Sequence, residues 1–288
     1  MMRKIITRFL FLLLVFIFSC KRDPATFQIH NLNDNKISVF GHAGMGFSFQ
    51  YPIDTYESIE PVLRIGADGS EMDLQVTRDS VLVVYHDQTL EDMTLCTTGM
   101  VNDKFWTDIW GCHIACPYSS SVKLICFNDL MNELTASGKN IHNYTFTFDC
   151  KLYSDNGNFS AFRGQYANTV LKVIDDNGLQ NNVYIESQDT TYLRLLMNKR
   201  SGLKLFIYPP DFATGLQIAK SMKLFGITIS NAEISAAQVK IAHDNGIHVT
   251  IWGVSTEQDN IDAIQKSPDF IQTDKPVHLL KVFGKYKG

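Results

Sequence analysis

From residue 37 onward the chain alternates between short runs of β-branched and aromatic residues and longer stretches whose apolar positions lie three or four apart. Runs of the first kind cover residues 37–41, 66–74, 144–148, 183–185, 203–207, 225–229, 247–251 and 270–271. Stretches of the second kind cover 55–65, 127–136, 161–176, 190–199, 213–221, 236–245 and 258–265. A short apolar run bounded by turn residues reads as a strand, and a 3.6-residue apolar period as an amphipathic helix. One further run, 81–85 (VLVVY), follows the second strand so closely that it reads as a hairpin arm. Eight strands alternating with helices over about 250 residues predict an α/β fold, a single-domain (β/α)8 TIM barrel whose active site lies at the C-terminal strand ends. An open, doubly wound sheet is the alternative. No GxGxxG turn follows an early strand, which weighs against it.

The barrel pattern occupies residues 36–288, and the start of the chain is of another kind. Arg3, Lys4 and Arg8 precede an apolar block, 9–18 (FLFLLLVFIF), that ends at Ser19-Cys20. A bilayer-spanning helix takes roughly 20 apolar residues. A basic flank and a short apolar stretch instead describe a secretory signal. Residues 17–20 (IFSC) resemble a bacterial lipobox, in which cleavage leaves the cysteine lipidated, although Phe18 is bulkier than that motif prefers. The expectation is a signal peptide over 1–19, a lipidated Cys20 opening a polar tether over 20–35, and an exported, membrane-anchored lipoprotein facing the periplasm or the cell exterior.

Composition narrows the function classes. The 288 residues are 45% hydrophobic, with 26 Lys plus Arg against 30 Asp plus Glu, which excludes a disordered chain and a coiled coil. Loss of residues 1–19 removes Arg3, Lys4 and Arg8 and no acid, moving the formal charge from −4 to −7. An acidic chain with no basic run is not a nucleic-acid binder. With Cys20 lipidated, Cys96, Cys112, Cys116, Cys126 and Cys150 remain, an odd number in an oxidising compartment. Four of them fall within 96–126, so one local disulfide is expected to staple a loop there, with its partners left open by the spacing. Cys112 and Cys116 lack the second ligand pair that a zinc site requires.

Chemistry concentrates at the strand exits. The first strand runs into His42-Ala43-Gly44. On the second, Glu71 and Asp73 are two apart and so share a face. Two carboxylates on one side of a strand repel unless a cation neutralises them, and hard oxygen donors suit Ca2+ or Mg2+. The third strand adds Asp149 and Lys151, again two apart, and the hairpin arm ends in His86-Asp87. Two histidines for proton transfer, three carboxylates for a divalent cation and a lysine for an anion match metal-assisted phosphodiester chemistry. His30, His113, His142, His243, His248 and His278 have no comparable placement and read as structural or surface residues.

Residues 66–87 (GADGSEMDLQVTRDSVLVVYHD) resemble the central signature of the glycerophosphodiester phosphodiesterases. The resemblance extends to His42, the Pro52-Ile53-Asp54-Thr55 turn, Asp149 and Lys151, the 242–246 helix end, Trp252 and the closing 273–276 (TDKP), and so spans roughly 37–280. It implies a TIM barrel in which Glu71, Asp73 and Asp149 hold one Ca2+ or Mg2+, and Lys151 holds a phosphate oxygen. By the same resemblance, His42 and His86 act as general acid and base, and Trp252 forms an apolar wall for substrate. The implied substrate is a small glycerophosphodiester, cleaved to glycerol 3-phosphate and an alcohol, with the membrane met only through the anchor.

Three positions depart from the family pattern. Ala43 stands where an arginine usually follows the histidine, Ile53 where the turn usually carries glutamate, and Asp149 where glutamate is more common. The first and third also resemble the related sphingomyelinase D and phospholipase D branch, which cleaves head groups from intact lipids. A non-catalytic binding protein on a degenerate barrel is the remaining alternative. The joint presence of His42, His86, Glu71, Asp73 and Lys151 argues against it, since a binder has no use for two proton carriers.

Overall fold

The computed structural model describes residues 27–47, 51–115, 121–155 and 157–288. Eight parallel strands close into a barrel: β1 (Ser38–Gly41), β2 (Gly69–Val76), β5 (Thr145–Cys150), β6 (Val183–Ser187), β7 (Lys204–Ile207), β8 (Gly226–Ser230), β9 (His248–Val254) and β10 (Phe270–Thr273). β1 bonds to both β2 and β10, so the barrel has no free edge. β3 (Leu82–Val84) turns back antiparallel on β2, and β4 (Ile125–Cys126) is antiparallel to β3. These two extend the sheet outside the barrel. The hairpin arm is therefore real, and it carries an insertion over 85–124.

Helices follow the barrel strands, among them Tyr56–Arg64, Phe127–Ala136, Phe159–Asp176, Thr190–Lys199 and Pro276–Val282. Their starts are encoded locally. The Asp189 and Asp211 side chains accept from backbone N–H groups of the first turn, Ser235 with Gln238 and Thr256 with Asp259 form capping boxes, and Pro276 occupies a first-turn position. Each helix lays an apolar stripe against the outer barrel face, where Met72, Leu74, Phe146, Phe148, Ile185 and Ile227 form part of the main core.

The inner face is layered by the two-residue strand period. Phe40, Tyr184, Phe206 and Phe270 meet inside the barrel, with Phe40 and Phe270 stacked at 5.6 Å and Tyr184 edge-on to Phe270 at 5.0 Å. Gly226 makes room for this aromatic layer: a Cβ there would stand 2.3 Å from the Phe206 ring. Two residues further along, the same strands carry Glu186 and Gln272, so the lumen turns from apolar to polar towards the C-terminal ends.

The insertion has its own small core, including Val83, Tyr85, Leu90, Val101 and Ile109. It is stapled by a Cys96–Cys112 disulfide with a Cα–Cα distance of 5.5 Å. This is the local bridge the cysteine spacing anticipated. Cys126 and Cys150 are buried free thiols, and Cys116 lies outside the described residues.

One expectation is corrected. The 20–35 segment was read as a tether throughout, but its second half is part of the folded body. Phe27 and Ile29 pack on the main core, the Asn31 amide donates to Pro268 O at 2.7 Å, and Leu32 N–H donates to Asp269 Oδ1 at 2.8 Å. Polar composition concealed this docking, because only Phe27 and Ile29 add apolar contacts and the rest are hydrogen bonds, from the Asn31 amide and the Leu32 backbone among others. Cys20 and residues 1–26 lie outside the described residues. The docking places residues 27–35 at the N-terminal end of β10, on the barrel face opposite the strand exits.

Candidate active site

The C-terminal mouth holds a cavity of about 190 Å3, lined among others by His42, His86, Glu71, Asp73, Asp149 and Lys151. Every residue the sequence singled out for proton transfer, metal binding or anion binding therefore meets in one place. Trp252, the expected apolar wall, lines the same cavity with its ring 6.4 Å from that of His42.

Strand pairing brings the carboxylates together. Asp73 on β2 is in register with Asp149 on β5, and Glu71 precedes Asp73 on the same inward face. One oxygen from each of Glu71, Asp73 and Asp149 falls in a group within 4.8 Å of one another. Two left-handed residues support this cluster. Ala43 (φ 48°) donates its N–H to Glu71 Oε2 at 2.8 Å, and Asp54 (φ 59°) accepts the Asp73 N–H at 3.1 Å. Ala43 O in turn accepts from Asp54 N–H at 3.2 Å. Left-handed backbone at non-glycine residues is costly, and here one instance holds the Glu71 carboxylate and the other the backbone of Asp73.

Lys151 is the only lysine or arginine lining the cavity among the described residues. Its ammonium lies 2.9 Å from Asp73 Oδ1 and 2.6 Å from Asp149 Oδ2. Burial alone would lower its pKa, but the two flanking carboxylates more than reverse that and hold it charged. Burial would raise Asp73, and Lys151 brings it below the ordinary value. Glu71 and Asp149 are left raised, first by burial and, for Glu71, by the charge of Asp73. One lysine does not balance this set. Asp73 Oδ2 is buried with no hydrogen-bond partner. An orphaned carboxylate oxygen within three converging hard donors fits a divalent cation of the Ca2+ or Mg2+ type.

Both histidines are oriented by a carboxylate. His42 Nδ1 is 2.8 Å from Asp274 Oδ1, and His86 Nδ1 is 2.5 Å from Asp87 Oδ1. A carboxylate accepts, so Nδ1 carries the proton in each ring and Nε2 is left for substrate. Asp274 is itself fixed by Phe47 N–H at 3.1 Å and the Ser255 hydroxyl at 2.9 Å. Burial would raise its carboxyl, and these bonds with that from His42 bring it below the ordinary value.

Sequence reasoning missed Asp274 as the partner of His42, and it missed Glu186, Gln272, Thr228 and Tyr208, which also line the cavity. A signal for two of these existed. The strands read as 183–185 and 270–271 stop one residue short of Glu186 and Gln272, where the two-residue rule that exposed Glu71 and Asp73 would have continued. A second cavity of about 600 Å3 adjoins the first, and Tyr208 and Trp252 line both. The other histidines stand apart: His243 Nε2 is 2.9 Å from Asp269 Oδ2, and the His248 ring stacks on Phe225 at 4.1 Å.

Crowded buried acids make stability depend on pH and cation. Burial, then the charge of Asp149, pushes Glu186 up from its ordinary 4.5 to about 8, and Glu71 is raised in the same sense. A carboxyl that holds its proton more tightly when folded stabilises the fold less and less as pH rises from the unfolded value through the folded one. The melting temperature of divalent-free protein should therefore fall between about pH 5 and 8, and millimolar Ca2+ or Mg2+ should restore it at the upper end. A flat profile insensitive to both would contradict the electrostatic picture.

The comparisons with known proteins agree with this arrangement. Residues 45–278 match the model of the glycerophosphoryl diester phosphodiesterase family. A glycerophosphodiester phosphodiesterase from Caldanaerobacter subterraneus subsp. tengcongensis is 24% identical over 251 residues, covering 87% of this chain and 99% of its own length. Among solved structures, one from Silicibacter pomeroyi superposes with a TM-score of 0.76 at 18% identity, covering 92% of this chain and 99% of that one. An Oleispira antarctica phosphodiesterase in complex with the product sn-glycerol-3-phosphate superposes with a TM-score of 0.73 at 13% identity, covering 86% and 96%.

Proposed function

The chain belongs to the glycerophosphoryl diester phosphodiesterase family, and from that premise we propose that it hydrolyses water-soluble glycerophosphodiesters to glycerol 3-phosphate and an alcohol, with one Ca2+ or Mg2+ held by Glu71, Asp73 and Asp149. The observation that carries this reading is the convergence of two carboxylate-oriented histidines on a cavity that also presents the Glu71, Asp73 and Asp149 cluster and one lysine.

When bound, the cation supplies Lewis-acid stabilisation of charge on the phosphoryl oxygens. Lys151 adds a fixed ammonium to the same end, inside a site where charges act strongly. The Nε2 of one imidazole takes the proton of the attacking hydroxyl, a neighbouring glycerol hydroxyl in the first step. The other enters the step as the imidazolium, protonated at both nitrogens, and gives its Nε2 proton to the departing alkoxide, which leaves as the free alcohol. Water opens the resulting cyclic phosphate with the two roles exchanged, so both histidines return to their starting state. Asp274 and Asp87 keep each ring in the tautomer this needs and stabilise the imidazolium that forms. Trp252 and Tyr208 bound the route from the cavity into the larger space beside it, where the leaving alcohol has room.

The direction of the chain favours soluble diesters over intact lipids. Asn31 and Leu32 dock at the N-terminal barrel face, so the described residues nearest Cys20 lie on the side opposite the catalytic mouth. We propose that a lipid anchor at Cys20 turns that side, and not the mouth, towards a membrane. Incubation with glycerophosphocholine and, separately, with phosphatidylcholine vesicles tests this. Turnover of the soluble diester with none from vesicles supports the reading, and head-group release from vesicles alone overturns it in favour of phospholipase D-like cleavage.

A further inference from the structure

The cavity floor holds polar groups that the chemistry above does not use. Glu186, Thr228 and Gln272 come from β6, β8 and β10 and line the catalytic cavity, with Glu186 in register with Asp149 on the neighbouring strand. Each is 2% exposed. Gln272 Nε2 donates to Glu186 Oε1 at 2.7 Å across the barrel, which fixes that carboxylate. Glu186 Oε2 and Thr228 Oγ1 are both buried and neither meets hydrogen-bond geometry with a protein partner, although the Thr228 side chain lies near enough to Glu186 to favour its charged form. Buried polar atoms in folded proteins are paired with few exceptions, so two orphans on the floor of one small catalytic cavity point to a ligand that brings its own hydrogen-bonding groups.

We propose that Glu186 and Thr228, with Gln272 holding the carboxylate in place, determine specificity by reading the free hydroxyls of the glycerol half of the substrate. The assignment deepens the phosphodiesterase reading above and rests on it. Size divides the substrate in two. The catalytic cavity of about 190 Å3 suits a small group of fixed structure, whereas the space of about 600 Å3 past Tyr208 and Trp252 suits an alcohol that varies. Chemistry divides it the same way. A vicinal diol brings two hydroxyls, each able to donate and to accept, which matches a carboxyl oxygen and a threonine hydroxyl on one floor. A site built to bond hydroxyls discriminates strongly against an analogue that lacks them, because its buried groups are then left unpaired.

Calorimetric titration of the full protein in Ca2+ tests this with two probes, sn-glycerol 3-phosphate and ethyl phosphate, which share the phosphate and differ in the diol. The quantity read is the ratio of the two Kd values. Wild type is expected to favour glycerol 3-phosphate by about tenfold or more, and Glu186→Met and Thr228→Val are each expected to shrink the ratio to below about threefold. Thr228→Val keeps the side-chain shape, so it remains informative if Glu186→Met, which strands Gln272, fails to fold by thermal melt. A wild-type ratio near one, or a ratio unchanged in the folded variants, overturns the proposal. Turnover of glycerophosphocholine is measured on the same preparation. Its absence would count against the enzymatic reading, while the diol preference is still read from the titrations.

Discussion

Replacing His42 with alanine is expected to lower kcat on glycerophosphocholine by roughly 10²- to 10⁴-fold, the range for loss of a positioned general acid or base. The ring is partly exposed at the mouth and contributes little to the core, so the variant should melt close to wild type. The companion change is Asp274→Asn. Asp274 Oδ1 accepts from His42 Nδ1 at 2.8 Å and fixes the proton there. An amide at that position can present its NH2 group to the ring instead, which favours the other tautomer and removes the basic nitrogen from the cavity. Where a buried aspartate orients a catalytic histidine, that exchange lowers kcat by up to about 10⁴-fold. Steady-state kinetics on both variants measure this. Activity within about threefold of wild type in His42→Ala would remove it from the proton-transfer step.

Lys151→Met is expected to reduce kcat/KM by about 10²- to 10³-fold, comparable to deleting one preorganised donor to a developing oxyanion. The effect should be large because nothing nearby substitutes. Ala43 occupies the position where the family pattern has arginine, and no other lysine or arginine lines the cavity among the described residues. Loss of the ammonium also leaves Asp73 and Asp149 facing each other without a cation, so the divalent-free variant should melt below wild type and recover more when Ca2+ is added. Lys151→Arg should restore little. The ammonium fits between two carboxylate oxygens at 2.9 and 2.6 Å, a point-charge geometry that a planar guanidinium does not reproduce. Kinetics with a parallel melting series separates the two effects, and a Met variant with near wild-type kcat/KM would place the phosphate elsewhere.

The parts of this site that the sequence revealed share one property: their residues lie close together along the chain. Glu71 with Asp73 and Asp149 with Lys151 are two apart, so strand periodicity alone placed each pair on one face, and His86 is directly followed by its partner Asp87. Asp274, by contrast, lies across the closure of the barrel from His42, where β1 meets β10, and only that closure makes them partners. Glu186 and Gln272 were hidden for another reason. A charged or amide residue after an apolar run looks like the end of a strand, yet inside a barrel mouth it is the continuation of one. The docking of residues 27–35 was likewise invisible, because asparagine-rich polar sequence is the same whether its amides meet water or a neighbouring loop. The barrel itself was legible throughout, since its alternation is a property of every strand and helix taken singly.

The central claim, that this mouth cleaves glycerophosphodiesters with a divalent cation at Glu71, Asp73 and Asp149, is tested most directly by following glycerophosphocholine in the presence of the purified protein by 31P NMR. With Ca2+ or Mg2+ present, the diester signal should give way to glycerol 3-phosphate, with a cyclic phosphate visible on the way if it builds up. With EDTA in place of the metal, the diester should persist. Turnover that continues undiminished in EDTA, or no turnover with any divalent cation, would contradict the account.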